Sequence, residues 1–152
     1  MTMRTSAYII IACMLLSACK KDEEINPPIS EVPEIELMSV SPGTVVALED
    51  SIVFLIHYID GDGDLGYNEP DSMSLYITDN RIPLTESFFV PWLAPEGSEI
   101  TIEGDLEVQL HNTILVDPDS DSETVTFTVW MRDRAGNLSN SVTTGPITVT
   151  RD

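Results

Sequence analysis

Between Asp60 and Asp71 the chain reads Asp60-Gly61-Asp62-Gly63-Asp64-Leu65-Gly66-Tyr67-Asn68-Glu69-Pro70-Asp71. Counted from Asp60, oxygen donors stand at positions 1, 3, 5, 9 and 12, the spacing by which a loop wraps one hard cation. The glycines between the first three aspartates let their carboxylates converge, and converging carboxylates repel strongly once water is excluded. The spacing therefore predicts a Ca²⁺ site on Asp60, Asp62 and Asp64, with Asn68, Asp71, Asp133 or Asn137 completing the shell. The pattern departs from a helix-flanked calcium loop in three ways. Leu65 stands where glycine is expected and Gly66 comes one place late; Asp71 reaches less far than the usual glutamate; and the flanks read as strands. The competing reading is a solvated acidic turn whose aspartates cap their own backbone.

Other candidates are weaker. Tyr67 and Trp92, with Phe88 and Phe89, offer aromatic rings that could stack on sugar or on a partner protein; the alternative is that Phe88 and Phe89 straddle a strand and Trp92 packs at a loop end. A second acidic run, Asp117 to Glu123, contains Pro118, Ser120 and Ser122 and reads as a flexible, exposed linker, the alternative being a second cation site. No catalytic residue is assigned. His57 lies in an apolar strand and His111 at the end of another, so antiparallel pairing sets the two imidazoles near opposite ends. No Gly-x-Ser-x-Gly elbow and no glycine-rich phosphate loop ahead of a helix occurs, and an enzyme is not expected.

The elements that position these groups read as strands. From Glu34 onward, period-two apolar blocks alternate with turn residues, and no stretch has a convincing helical period. Strands are predicted at Ile35–Val40, Thr44–Ala47, Ser51–Ile59, Ser74–Thr78, Ser87–Val90, Glu99–Glu103, Leu106–Leu110, Thr124–Arg132 and Ser141–Thr150. Thr124–Arg132 alternates most cleanly, with Val125, Phe127, Val129 and Met131 on one face. Short strands at this spacing predict an all-β, antiparallel β-sandwich of about seven to nine strands over residues 34–152. Its acidic loop, a Gly104-Asp105 turn and the Asp133–Asn137 hairpin are expected at one end.

Asp133-Arg134-Ala135-Gly136-Asn137-Leu138-Ser139 resembles the Asp-x-Ala-Gly-Asn-x-Ser hairpin of bacterial immunoglobulin-like and fibronectin-type repeats. Together with the Asp60–Gly66 stretch and Phe89-Val90-Pro91-Trp92-Leu93, it makes the domain resemble small lipoproteins of the Bacteroidetes group with an immunoglobulin-like fold. The resemblance implies a fold and a location and carries no activity.

The N-terminus bears on location. Arg4, the apolar run Tyr8–Leu16 and the small residues Ser17 and Ala18 have the form of a cleaved secretory signal over residues 1–18, and nine apolar residues are too few to span a bilayer. Leu16-Ser17-Ala18-Cys19 resembles the bacterial lipobox, which implies acylation of Cys19 and anchoring by lipid. Lys20 behind the cysteine implies an outer membrane. The Lys20-Lys21-Asp22-Glu23-Glu24 run resembles the export signal of surface-displayed lipoproteins. The lipidated N-terminus and proline-rich residues together form a predicted spacer over residues 19–33. With 26 acidic against 7 basic residues and a formal charge of −19, the chain repels phosphate backbones and is not expected to bind nucleic acid. Two functions fit: a structural or protein-interaction module in a surface complex, or a carbohydrate-binding accessory for nutrient uptake.

Overall fold

The computed structural model describes residues 29–82 and 84–152. The predicted signal peptide, Cys19 and the spacer as far as residue 28 lie outside the described residues. All the regular structure described is strand: β1 (Glu34–Ser41), β2 (Thr44–Val46), β3 (Ile52–Asp60), β4 (Leu75–Asp79), β5 (Leu84–Phe88), β6 (Ile102–Leu110), β7 (Ser122–Val125), β8 (Phe127–Met131), β9 (Val142–Thr143) and β10 (Ile147–Thr150). They form three sheets with orders β1-β3-β6, β2-β10-β7 and β5-β4-β8-β9. Only Thr126 separates β7 from β8, so the second and third sheets lie end to end along one chain path.

β3 is the spine. Ile52, Phe54, Ile56, Tyr58 and Asp60 point inward and alternate with half-buried residues. β3 pairs antiparallel with β1 on one side and β6 on the other, from Ile52 opposite Leu110 to Asp60 opposite Ile102. A bulge between Leu37 and Ser39 leaves Met38 exposed and returns Val40 to the inner face. Across the core, Phe54 of β3 meets Phe127 of β8 edge to face, with ring centroids 5.7 Å apart. Leu75, Ile77, Val129, Met131, Ile147 and Val149 complete an apolar layer between the sheets. The domain is thus all-β, with two packed faces consistent with a β-sandwich.

Four boundaries differ clearly from those predicted, the first being the strand expected at Ser87–Val90, which runs instead over Leu84–Phe88. Glu99–Glu103 and Leu106–Leu110 were expected as two strands around a Gly104-Asp105 turn, but Gly104 lies inside β6. Its glycine has another cause: a Cβ there would sit 2.8 Å from the Tyr58 hydroxyl, so the strand passes over a buried tyrosine ring. The expected Thr124–Arg132 strand breaks at Thr126, where the carbonyl and hydroxyl accept hydrogen bonds from the Asn80 backbone and side chain. The expected Ser141–Thr150 strand is interrupted by Thr144, Gly145 and Pro146.

Candidate metal centre

β3 delivers Asp60 to the end of its inward-facing row, which leaves a carboxylate with 0% exposure where the alternation otherwise places apolar residues. Its Oδ2 accepts the Asp64 and Leu65 amides at 2.9 and 3.2 Å, folding the following loop back over the strand end. Leu65, also fully buried, plugs that loop into the core. This explains the departure noted in the sequence: the leucine is a core residue, and Gly66, at φ +82°, supplies the turn one place later. A Cβ at Gly66 would press into the Pro91 carbonyl, so the loop packs directly on backbone.

The β8–β9 loop closes over the same place. The Asp64 Oδ2 accepts the Ala135 amide at 2.9 Å, and the Arg134 guanidinium donates to the carbonyls of Gly66 at 3.0 Å and Leu65 at 3.3 Å. Fully buried Asp133 receives the Asn137 backbone amide on Oδ1 at 2.7 Å and the Asn137 side-chain amide on Oδ2 at 2.8 Å. Tyr67 donates its hydroxyl to the Asp133 carbonyl at 3.0 Å.

Asp60 and Asp64 each use Oδ2 to hold the loop. The Oδ1 atoms of Asp60, Asp62 and Asp64 are buried and have no hydrogen-bond partner. Each of the three carboxylates has an oxygen within 4.8 Å of one on each of the others. Charges held that close in a partly desolvated loop repel one another. Burial, with Asp62 and Asp64 adding their charge, pushes the Asp60 carboxyl up from 3.8 to about 6. Burial also raises the Asp64 carboxyl, with Asp133 adding to it, and Arg134 offsets this only weakly. The cluster is therefore short of positive charge and rich in free, inward-facing oxygens, and it could hold a metal ion. Comparison with protein-family models, with curated proteins and with solved structures gave no match.

The structure brings together Asp60, Asp62 and Asp64 of the predicted set and sets Asp133 and Asn137 beside them, bonded to each other. Asn68 and Asp71 stand exposed in the turn ahead of β4. Tyr67 and Trp92 are half-buried: one is tied to Asp133, and the other lies beneath Arg134, whose guanidinium carbon is 5.9 Å from the Trp92 ring centroid. Each ring thus has a contact within the loop. Phe89 is 37% exposed, while Phe88 packs against the core.

Arg134 was not singled out from the sequence, because an arginine in a turn beside acids reads as a solvated pair. Tyr76 and Trp130 were also missed as a pair. They stack at 4.0 Å and 9° on the outer face of β4 and β8, and Arg132 lies 5.8 Å from the Tyr76 ring centroid. Their alternation with Ile77 and Val129 marks them as outward-facing, but the pairing of the two strands is needed to bring them together. Each ring covers one face of the other.

The remaining acidic run is not wholly an exposed linker. Glu123 accepts the Val116 and Asp117 amides and pairs with Arg81 at 2.7 Å, and Arg81 also pairs with Asp79 at 2.7 Å.

Proposed function

We propose that the chain is a lipid-anchored surface module whose immunoglobulin-like domain binds Ca²⁺ through Asp60, Asp62 and Asp64, and that it serves as a structural or protein-interaction unit of an outer membrane. The observation that carries the metal reading is the convergence of three carboxylates, each of which carries a buried Oδ1 with no hydrogen-bond partner. Buried polar atoms are nearly always satisfied, and one cation shared by three neighbouring carboxylates would satisfy all three of these. The donors are all oxygen, which suits a hard cation, and extracellular modules bind calcium at roughly 0.1 to 1 mM. The anchoring reading rests on the Leu16–Cys19 motif, and the immunoglobulin-like reading on the two packed faces together with the Asp133–Ser139 hairpin. With Tyr67 and Trp92 engaged inside the loop, the observations favour a protein partner over a glycan.

Thermal unfolding of the purified protein with calcium or chelator tests the metal. Calcium at ten times its Kd adds about 1.4 kcal/mol, which raises the Tm of a domain this size by roughly 5 °C. A Tm unmoved by calcium at about 10 mM, ten times the upper end of that range, defeats the reading.

A further inference from the structure

The chain approaches β1 past the metal cluster. The Gly61 amide, between Asp60 and Asp62, donates to the Ser30 carbonyl at 2.8 Å, and the Thr101 hydroxyl donates to the Gly61 carbonyl at 3.2 Å. There is no space at Gly61 for a side chain: a Cβ would press into the carbonyls of Ser30 and Ile29. The Val32 amide bonds the Ser30 hydroxyl at 3.0 Å, and Pro33 is buried, so the segment from Ile29 is laid against the domain before β1 begins. Between segment and loop is an open, polar cleft of about 560 Å³ lined by Ile29, Glu31, Gly61, Asp62, Glu99 and Thr101. Its three carboxylates come from the segment (Glu31), the metal loop (Asp62) and the loop ahead of β6 (Glu99), with no basic residue among them.

We propose that the cation at Asp60, Asp62 and Asp64 operates a clasp, fastening Ile29–Pro33 to the domain when it binds and releasing it when it leaves. The inference rests on the metal reading above and adds a regulated element to it. A ligand shifts a conformational equilibrium only through a difference in its interactions with the two states, and here Glu31 supplies that difference. With the cluster empty of cation, Glu31 docks against the negative charge of Asp62 and Glu99. With a divalent cation bound, the field at Glu31 turns attractive. The cluster is more than a group of surface acids, since Asp60 is fully buried with an unpartnered oxygen aimed into it. Coupling is reciprocal, so a docked segment strengthens cation binding by the factor by which the cation strengthens docking.

The test uses the full mature protein and endoproteinase Glu-C, with cleavage after Glu31 followed in 1 mM CaCl₂ and in chelator alongside the melting temperature. Calcium is expected to slow cleavage at Glu31 at least fivefold, the lower end of ordinary coupling. Gly61→Ala should lose that protection and bind calcium more weakly by the same factor. Glu99→Gln works in the opposite direction, slowing cleavage in chelator, so poor folding cannot imitate it. If calcium raises the Tm but leaves Glu31 cleavage unchanged, the clasp is wrong and the metal site stands. If calcium changes neither, the metal reading fails and the clasp with it. Equal cleavage of Glu99→Gln and the parent in chelator overturns the electrostatic basis of the clasp.

Discussion

Asp60 occupies a position that strand alternation assigns to the core, and its carboxyl is held up at about 6 against an ordinary 3.8. The folded protein therefore binds that proton more tightly than the unfolded chain does. The stability tied to the proton is fully present below about pH 4 and is lost as pH rises through about 6; the whole gap corresponds to about 3 kcal/mol. In chelator the urea midpoint is expected to fall between pH 4.5 and pH 7.5, and Asp60→Asn should flatten much of that fall and be the more stable protein at pH 7.5. His57, whose imidazole is raised by its hydrogen bond to Asp105, acts in the same direction, so the comparison with Asp60→Asn isolates the aspartate. Saturating calcium should erase the difference for the parent and do nothing for the variant. A chelator midpoint that climbs over this range would show that Asp60 ionises without cost. The aspartates themselves were legible because Asp-Gly-Asp-Gly-Asp has few other uses. The course of the loop was not: spacing along the chain sets Asn68 and Asp71 with the aspartates, whereas the burial of Leu65 turns the loop inward and both residues stand exposed.

Among the elements, β3 and β8 were readable because their alternation is set by one buried and one half-buried face. Phe127→Ala, which removes the β8 side of the contact with Phe54, is expected to cost about 3 to 5 kcal/mol in denaturant unfolding. A loss below about 1 kcal/mol would mean that the two layers do not meet there. β6 was not readable, since glycine followed by aspartate is a turn signal and only the approach of Tyr58 shows why Gly104 sits in a strand. Gly104→Ala should therefore destabilise by about 1 to 3 kcal/mol through overpacking, where a solvent-exposed turn glycine at negative φ would tolerate alanine or gain from it. At the opposite end, Arg81 ties Asp79 at the end of β4 to Glu123 of β7. The backbone amides of Asp117 and Val116, with Arg81 adding its charge, hold the Glu123 carboxyl below its ordinary 4.5. Its contribution is present above that pH and lost as pH falls below it. Glu123→Gln should accordingly reduce acid sensitivity below pH 4.5, measured as the slope of the unfolding midpoint with pH.

For the molecule as a whole, the formal charge of −19 makes every conclusion about stability depend on ions. Calcium effects should be compared with magnesium and with sodium at equal ionic strength, so that occupancy of one site is separated from general screening. The proposed anchoring has a separate readout: Cys19→Ser should move the protein from the detergent phase to the aqueous phase in phase partition, and retention in detergent would rule out the lipid. The ladders also fix a polarity. β1 begins beside Ile59, next to the acidic cluster, whereas Ile52, His111 and the Asp121–Arg151 contact lie at the other pole. The segment that enters at Ile29 therefore meets the domain at its aspartate-rich tip. The pole that carries Leu48, Pro118 and Arg151 lies a full strand length away, so a partner seated there would leave the acidic loop uncovered.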